Sequence, residues 1–145
     1  MPMTNRGANN ALSVYLRAGT APTTFYVALS STAPTVDTNT LSEITHLSTG
    51  NGYTSGGVAI PRNSTGWPTL TEDDTNDYAQ AVMQAASWTA SGGSIGPFQY
   101  VVLTGDGGTV GNREVLAWWP LSVAVTISNG STWSANNATL RIATV

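Results

Sequence analysis

Apolar and polar residues alternate along much of this chain, in short segments separated by Gly, Pro, Asn and Thr. A period of two residues is typical of β-strands with one buried face. In the segment 24–29, Phe25, Val27 and Leu29 fall on one face. Residues 98–104 are almost continuously apolar, which predicts a central strand covered on both faces. The same reasoning predicts strands at 57–60, 67–70, 81–88, 114–120, 123–128 and 139–145.

The segment before the first strand has a helical period instead. Ala8, Leu12, Tyr15 and Leu16 lie on one stripe of a 3.6-residue repeat, which predicts a short amphipathic helix. The residues that precede it, 1–4, are predicted to form an extended apolar arm that is either frayed or laid against a neighbouring molecule.

Three further local signals refine the predicted helical turns. Thr4 or Asn5 is suited to cap the start of the N-terminal helix, and Gly19 to form the left-handed turn at its end. Thr40 and Glu43 have the spacing of a capping box, so one helical turn is predicted there.

These elements together predict an all-β fold. Seven or eight short strands with turn signals between them favour an antiparallel β-sandwich or a jelly-roll. We divide the chain into an N-terminal arm and short helix at 1–22 and a β-sandwich domain at 23–145. A chain of 145 residues is expected to form one domain with a sizeable core.

The composition argues against a catalytic function. The chain has one histidine, His46, no cysteine and no lysine, and only 9% of its residues are charged. Enzymes use such side chains for proton transfer and nucleophilic attack. We therefore expect no enzyme, no catalytic residue, no metal site and no cofactor.

Charge and hydropathy exclude other partner classes. The net charge is −3 and the five arginines are scattered, whereas nucleic-acid binding needs clustered cations. No apolar stretch approaches the roughly 20 residues of a membrane span, and the N-terminus lacks the apolar segment of a secretory signal. We expect neither a nucleic acid nor a membrane as partner.

The one acidic cluster is the segment 72–77, which contains Glu72, Asp73, Asp74 and Asp77. It could hold Ca²⁺, but it lacks the spacing and the glycine of an EF-hand loop, so an exposed, solvated loop is the favoured interpretation. Acids at Glu43, Glu72 and Glu114 are too scattered in sequence to mark a glycosidase groove.

The aromatic pair Trp118 and Trp119 lies in an alternating segment, so the two rings must point to opposite faces of a strand. One ring is predicted to enter the core. The other is covered either by the N-terminal helix or a loop, or by a partner subunit, since tryptophan is frequent at interface hot spots. Sugar binding is a third alternative.

Several segments resemble small virion structural proteins of tailed bacteriophages, a group described both as head-decoration and as tail-fibre proteins. The resemblance lies in 24–30 with 33–35, in 41–44, in Gly52 and Tyr53, and later in 87–98 and 115–121. It spans most of the chain from Leu12 onward. The arginine that usually follows the Gly-Tyr pair is absent here, and Arg62 is the nearest one.

The resemblance implies a virion structural protein, most specifically a capsid decoration (cement) protein. It would be made in the host cytoplasm and would lie on the outer surface of the capsid, bound to the major capsid protein. By family analogy it would form a homotrimer. The alternative is a tail-tip or tail-fibre-associated module that contacts the host surface. The arm and exposed aromatics are the expected partner-binding residues: Met1, Pro2, Met3, Thr4, Tyr15, Trp67, Trp118 and Trp119.

Overall fold

A computed structural model of the chain describes residues 1–143. One helix, α1 (Asn5–Arg17), is followed by nine strands and two short 3₁₀ turns, at Leu41–Glu43 and Val110–Asn112. The strands are β1 (Thr24–Ser30), β2 (Val58–Pro61), β3 (Thr69–Asp73), β4 (Tyr78–Val82), β5 (Ala86–Thr89), β6 (Ile95–Thr104), β7 (Val115–Ile127), β8 (Thr132–Ala135) and β9 (Thr139–Ala143).

A four-stranded antiparallel sheet in the order β2-β1-β6-β7 forms the centre of the molecule. Strand β6 pairs with β1 on one side and β7 on the other, and its residues 101–104 are buried. The prediction of a central strand covered on both faces is therefore confirmed.

The two faces of this sheet bury separate apolar clusters. Val27 and Leu29 of β1 point to the larger cluster, which includes Phe98. Ala28, between them in sequence, points to the smaller cluster on the other face with Val102. The alternation of side chains along a strand thus distributes one apolar segment over two cores.

Two smaller antiparallel sheets complete the fold, one in the order β3-β4-β9 and one that pairs β5 with β8. In the two-stranded sheet Trp88 lies opposite Trp133, with ring centroids 5.7 Å apart, and Phe98 contacts Trp133 edge-on at 5.1 Å. These aromatic contacts join the small sheet to the larger core.

Several predicted strand boundaries were wrong. The predicted strand at 81–88 is two strands. Strand β4 ends at Val82, and a separate strand, β5, begins at Ala86 and pairs with β8. The predicted strands at 114–120 and 123–128 are one strand, β7. Strand β8 was not predicted. Of the last predicted strand, 139–143 is confirmed, and residues 144 and 145 lie outside the described residues.

The acidic segment 72–77 was predicted as a loop, and only part of it is one. Glu72 and Asp73 end strand β3, and a tight turn follows before β4 begins at Tyr78. The Asp73 carboxylate accepts hydrogen bonds from the backbone N–H groups of Thr75 and Asn76, which closes this turn.

The predicted helix exists, but its orientation differs from the prediction. Thr4 caps its start, as predicted, and accepts a hydrogen bond from the N–H of Gly7. Ala18 rather than Gly19 adopts the left-handed conformation at its end, with φ of 51°. Gly7 faces strand β7, whereas the predicted apolar stripe of Leu12, Tyr15 and Leu16 is exposed.

The position of the arm accounts for this orientation. Met3 forms an antiparallel bridge with Ala117, and the N–H of Thr4 donates to the carbonyl of Leu116. The arm therefore extends the edge of the chain's own four-stranded sheet, and this pairing fixes which side of α1 faces β7.

The fold is thus an all-β arrangement of antiparallel sheets, compatible with a β-sandwich, with one short helix near the N-terminus. Within residues 1–143, no helix has the length and hydropathy needed to cross a bilayer.

Candidate functional site: an apolar groove

A concave surface between α1 and the three-stranded sheet forms a groove with a volume of about 910 Å³. Ala11, Val14 and Tyr15 of α1 form one wall together with Met3 of the arm, and the rest of the lining includes Phe25, Trp67, Leu103 and Leu116. Its lining is predominantly apolar, and its size falls in the range of roughly 300–1,000 Å³ that is typical of ligand sites.

Strand register explains the apolar sheet wall. Leu70 of β3 lies opposite Ala81 of β4, which lies opposite Leu140 of β9, so these three side chains share one face. Ile142 is two residues after Leu140 and lies on the same face. All four line the groove.

The opposite face of this sheet is polar. Thr71, Gln80 and Arg141 lie in register on it, and the Arg141 guanidinium donates to the Gln80 side-chain oxygen at 3.0 Å. The guanidinium also lies 3.8 Å from the ring centre of Tyr78. A sheet with one polar and one apolar face is expected to bury the apolar one.

The described chain covers only part of this apolar face, because Leu140 packs against the larger core. Leu70 is 80% exposed and Ile142 is 56% exposed. The groove therefore presents a contiguous apolar surface to solvent, and such surfaces mark interaction sites in soluble proteins.

The base of the groove is fixed by short-range contacts. The rings of Trp67 and Phe25 pack edge to face, with centroids 5.6 Å apart. The carbonyl of Asn63 accepts from the N–H of Trp67, and the Asn63 side-chain oxygen accepts from the N–H groups of Thr65 and Gly66. The loop that carries Trp67 is thus held in place by its own backbone hydrogen bonds.

Two acidic side chains outside the groove lining make structural contacts. Glu114 accepts from the side chain of Asn10 and lies 3.5 Å from the guanidinium of Arg6. Asp106 accepts from the backbone N–H and the hydroxyl of Thr23. Among residues 1–143, no three His, Cys, Asp or Glu side chains are grouped so that they could hold a metal ion.

Two titratable groups predicted to be unremarkable also have local roles. His46 is half-buried, and its Nδ1 lies 3.2 Å from the carbonyl oxygen of Leu47. The Asn76 side chain donates to the Asp73 carboxylate, and this bond, with one from Tyr78 and those of the turn, lowers the pKa of Asp73. Neither group faces the groove.

The structure brings together three of the eight predicted partner-binding residues. Met3, Tyr15 and Trp67 all line the groove. Sequence reasoning did not include Leu70, Leu140 or Ile142 among them. The missing information was that Leu70 and Ile142 stay largely exposed in the described chain.

The other five predicted residues lie elsewhere. Met1 is partly exposed, the carbonyl of Pro2 accepts from the N–H of Trp118, and Thr4 is buried at the helix start. Because the arm pairs with its own chain, Pro2 and Thr4 offer little surface to a partner.

The two adjacent tryptophans point to opposite faces, as the alternation predicted. Trp118 is 7% exposed and lies in the smaller core, covered by Leu41 and Ile44 of the loop after β1. Trp119 packs against the larger core, and its Nε1 donates to the carbonyl of Thr139 at 3.0 Å. The chain itself covers Trp118, which leaves that ring almost no surface for a partner contact.

Comparison with known proteins adds no family to this description. No protein-family model matches the chain, and a search of curated proteins found no match.

Proposed function

We propose that this protein is a virion structural protein of a tailed bacteriophage, most specifically a capsid decoration protein that binds the major capsid protein on the outer surface of the head. The observation that carries the proposal is the apolar groove with its exposed Leu70 and Ile142, in a chain in which several described acids serve turns, caps and an ion pair. Such a surface supports association rather than catalysis.

The positions of the resembling segments support the fold that the resemblance implies. Strand β1, the turn at Leu41–Glu43 and the first part of β7 carry three of these segments. Their residues Ala28, Leu41 and Trp118 pack in one buried cluster. The resemblance therefore concerns residues that hold the central sheet and its covering loop together.

The proposed mechanism is associative. The central sheet with its two cores forms a stiff body, and apolar surface is the part of it that gains free energy when another protein covers it. A contact of modest area is sufficient when several copies bind as one assembly, because the first contact raises the effective concentration for the others. Repeated contacts of this kind would stabilise the head.

Reconstitution on particles tests this proposal. Heads are prepared from a phage in which the gene for this chain is deleted, and purified protein is added in increasing amounts. The expected result is saturable binding at a fixed ratio to the major capsid protein, together with a higher temperature of head disruption. Binding of only a few copies per particle, located at the tail, would favour the tail-tip alternative. Absence of binding to either structure would contradict the proposal.

A further inference from the structure

A second apolar surface adjoins the groove. Leu12, Tyr15 and Leu16 on the outer side of α1, called here the outer stripe, are 59%, 87% and 68% exposed. Their spacing of i, i+3 and i+4 is that of helices that bind in grooves. Tyr15 also lines the groove, so the stripe and the groove are continuous across α1.

We propose that the groove receives the outer stripe of a second copy of this chain. The inference deepens the proposed function and rests on it in one respect, namely that the groove serves to bind another protein. A groove cannot fill another groove, and stripe packed on stripe leaves both grooves open. Only the stripe of one copy in the groove of the next covers both apolar surfaces.

The charges near the two surfaces are complementary in part: acids lie beside the groove, but Arg62 also lines it, and Arg6 of α1 already pairs with Glu114. Helix α1 contains two arginines and no acidic residue. The hairpin β3–β4 contains Glu72, Asp73, Asp74 and Asp77 and no Lys or Arg. Opposite charges on two surfaces that meet steer association and select its orientation.

The register of the sheet places one of these acids on the sheet face that lines the groove, next to the lining residues. Glu72 lies opposite Ala79, which lies opposite Ile142, so Glu72 shares the apolar face of Leu70 and Ile142. Arg17 is in the last turn of α1, next to Leu16, and makes no ion pair within the described residues. With Leu16 of one copy against Leu70 of the next, Arg17 comes to the end of the wall where Glu72 lies.

Contacts between two different surfaces are head-to-tail contacts. Such contacts close into a ring when the rotation between neighbours permits it. The inferred contact is therefore compatible with the homotrimer that the family resemblance implies, and it names the surfaces through which that trimer would form.

Single-cysteine variants test which surfaces meet. The natural chain has no cysteine, so any disulfide in a single-cysteine variant must join two molecules. We would prepare Leu16→Cys on the stripe, Leu70→Cys in the groove and Val123→Cys as a control on an exposed residue of β7 outside the groove. Each variant is oxidised briefly, alone and in equal mixtures.

The expected result is a covalent dimer from the mixture of Leu16→Cys with Leu70→Cys, at least several-fold faster than from either variant alone or from mixtures with Val123→Cys. A rate equal to that of the Val123→Cys mixtures would overturn the inference. Equally fast dimerisation of Leu16→Cys alone would also overturn it, because that result indicates stripe-to-stripe contact.

A charge exchange tests the orientation. Arg17→Glu and Glu72→Arg should each weaken self-association several-fold, measured by analytical ultracentrifugation at low salt. The two substitutions in one chain should restore it, because each copy then again presents opposite charges to its neighbour. If the double variant associates as weakly as the single variants, the inferred orientation is contradicted.

The particle assay separates this inference from the proposed function. A variant with Leu12→Ser and Leu16→Ser should be monomeric, with a mass of 15.0 kDa. If the natural protein is itself monomeric at all accessible concentrations but still binds heads, the inference fails and the function stands. If it assembles through stripe and groove but binds no particle, the function fails and the inference stands.

Discussion

At Gly7 the helix α1 comes so close to strand β7 that no side chain fits between them. A Cβ atom added to Gly7 would lie 2.3 Å from the carbonyl oxygen of Leu116, which is backbone and cannot move aside on its own. This close approach explains a glycine in the first turns of a helix, where alanine would otherwise be favoured by up to about 1 kcal/mol.

The substitution Gly7→Ala should therefore destabilise the protein instead of stabilising it. Displacing α1 from β7 is expected to cost about 1–3 kcal/mol in the free energy of unfolding, the range for overpacked sites. Urea unfolding followed by tryptophan fluorescence measures it. Gly50→Ala is the matched control, because a Cβ at Gly50 meets no atom within 4 Å. A Gly7→Ala protein as stable as the natural one would contradict the described helix position.

Glu43 provides a prediction about pH. The backbone N–H of Asn39 donates to its carboxylate, as do the backbone N–H and hydroxyl of Thr40, and these bonds lower the pKa of Glu43 from its usual 4.5. A carboxyl with a lower pKa in the folded state stabilises the fold above its unfolded pKa. That contribution is lost as the pH falls through the folded value.

Glu43→Gln should accordingly have a lower free energy of unfolding than the natural protein at pH 7. This difference in free energy should narrow as the pH falls below 4.5. Denaturant unfolding at several pH values measures the free energy of unfolding of the variant and of the natural protein. Asp74→Asn is the control, since Asp74 makes no ion pair or side-chain hydrogen bond within the described residues. A constant difference between Glu43→Gln and the natural protein at all pH values would contradict the assigned hydrogen bonds.

At the scale of elements, the N-terminal arm is part of the central sheet. Thr4 is 1% exposed, caps α1 and donates through its hydroxyl to the carbonyl of Val115. Removal of the arm therefore removes the helix start and a bridge to β7 together. The main role of the arm in this structure is to hold α1 and β7 together within its own chain.

Thr4→Ala should lower the free energy of unfolding by about 1–2 kcal/mol, the usual effect of losing a helix cap. Thr4→Ser keeps the hydroxyl and should retain most of the stability. Circular dichroism and urea unfolding of both variants measure the difference. Equal stability of the alanine and serine variants would show that the hydroxyl does not hold the helix start.

The sequence predicted which elements exist better than where they end. Pro120 was interpreted as the end of a strand, but β7 continues to Ile127, because past residues 116–118, which the arm contacts, no described strand pairs with its outer side. An edge strand needs hydrogen-bond partners on one side only, so a proline without an N–H is tolerated. Strand β8 was missed because it is only four residues long, and Trp133 and Ala135 are its only apolar residues.

The division of the predicted strand 81–88 depends on contacts that are distant in sequence. The N–H of Met83 donates to the carbonyl of Ala138, and the N–H of Gln84 donates to that of Gly66. These bonds turn the chain from one sheet into another. No local pattern contains that information, because the bond partners are 18 or more residues away.

At the scale of the whole molecule, exposed apolar residues and core residues should behave differently on substitution. Leu70→Ser should change the free energy of unfolding of the monomer by less than about 0.5 kcal/mol, because its side chain is 80% exposed. Leu29→Ala should cost about 2–5 kcal/mol, because Leu29 is fully buried. Unfolding at low protein concentration measures both. A large loss for Leu70→Ser would indicate that the groove is closed in the isolated chain.

The groove itself was only partly predictable. The alternation of apolar residues on β9 and the exposed aromatic Tyr15 were visible in the sequence. That α1 and the sheet β3-β4-β9 stand apart and leave a groove between them is a property of the tertiary arrangement. The helix period was equally visible, but the pairing of the arm with β7 decided which side of α1 faces inward.

A density map of intact virions tests the central claim most directly. If this chain acts by association on the head, the map shows its fold on the outer surface of the capsid lattice, bound to the major capsid protein, with each groove covered by a neighbouring protein. A map of virions that contain the chain, with this fold absent from the head or with its groove open to solvent, would contradict the account.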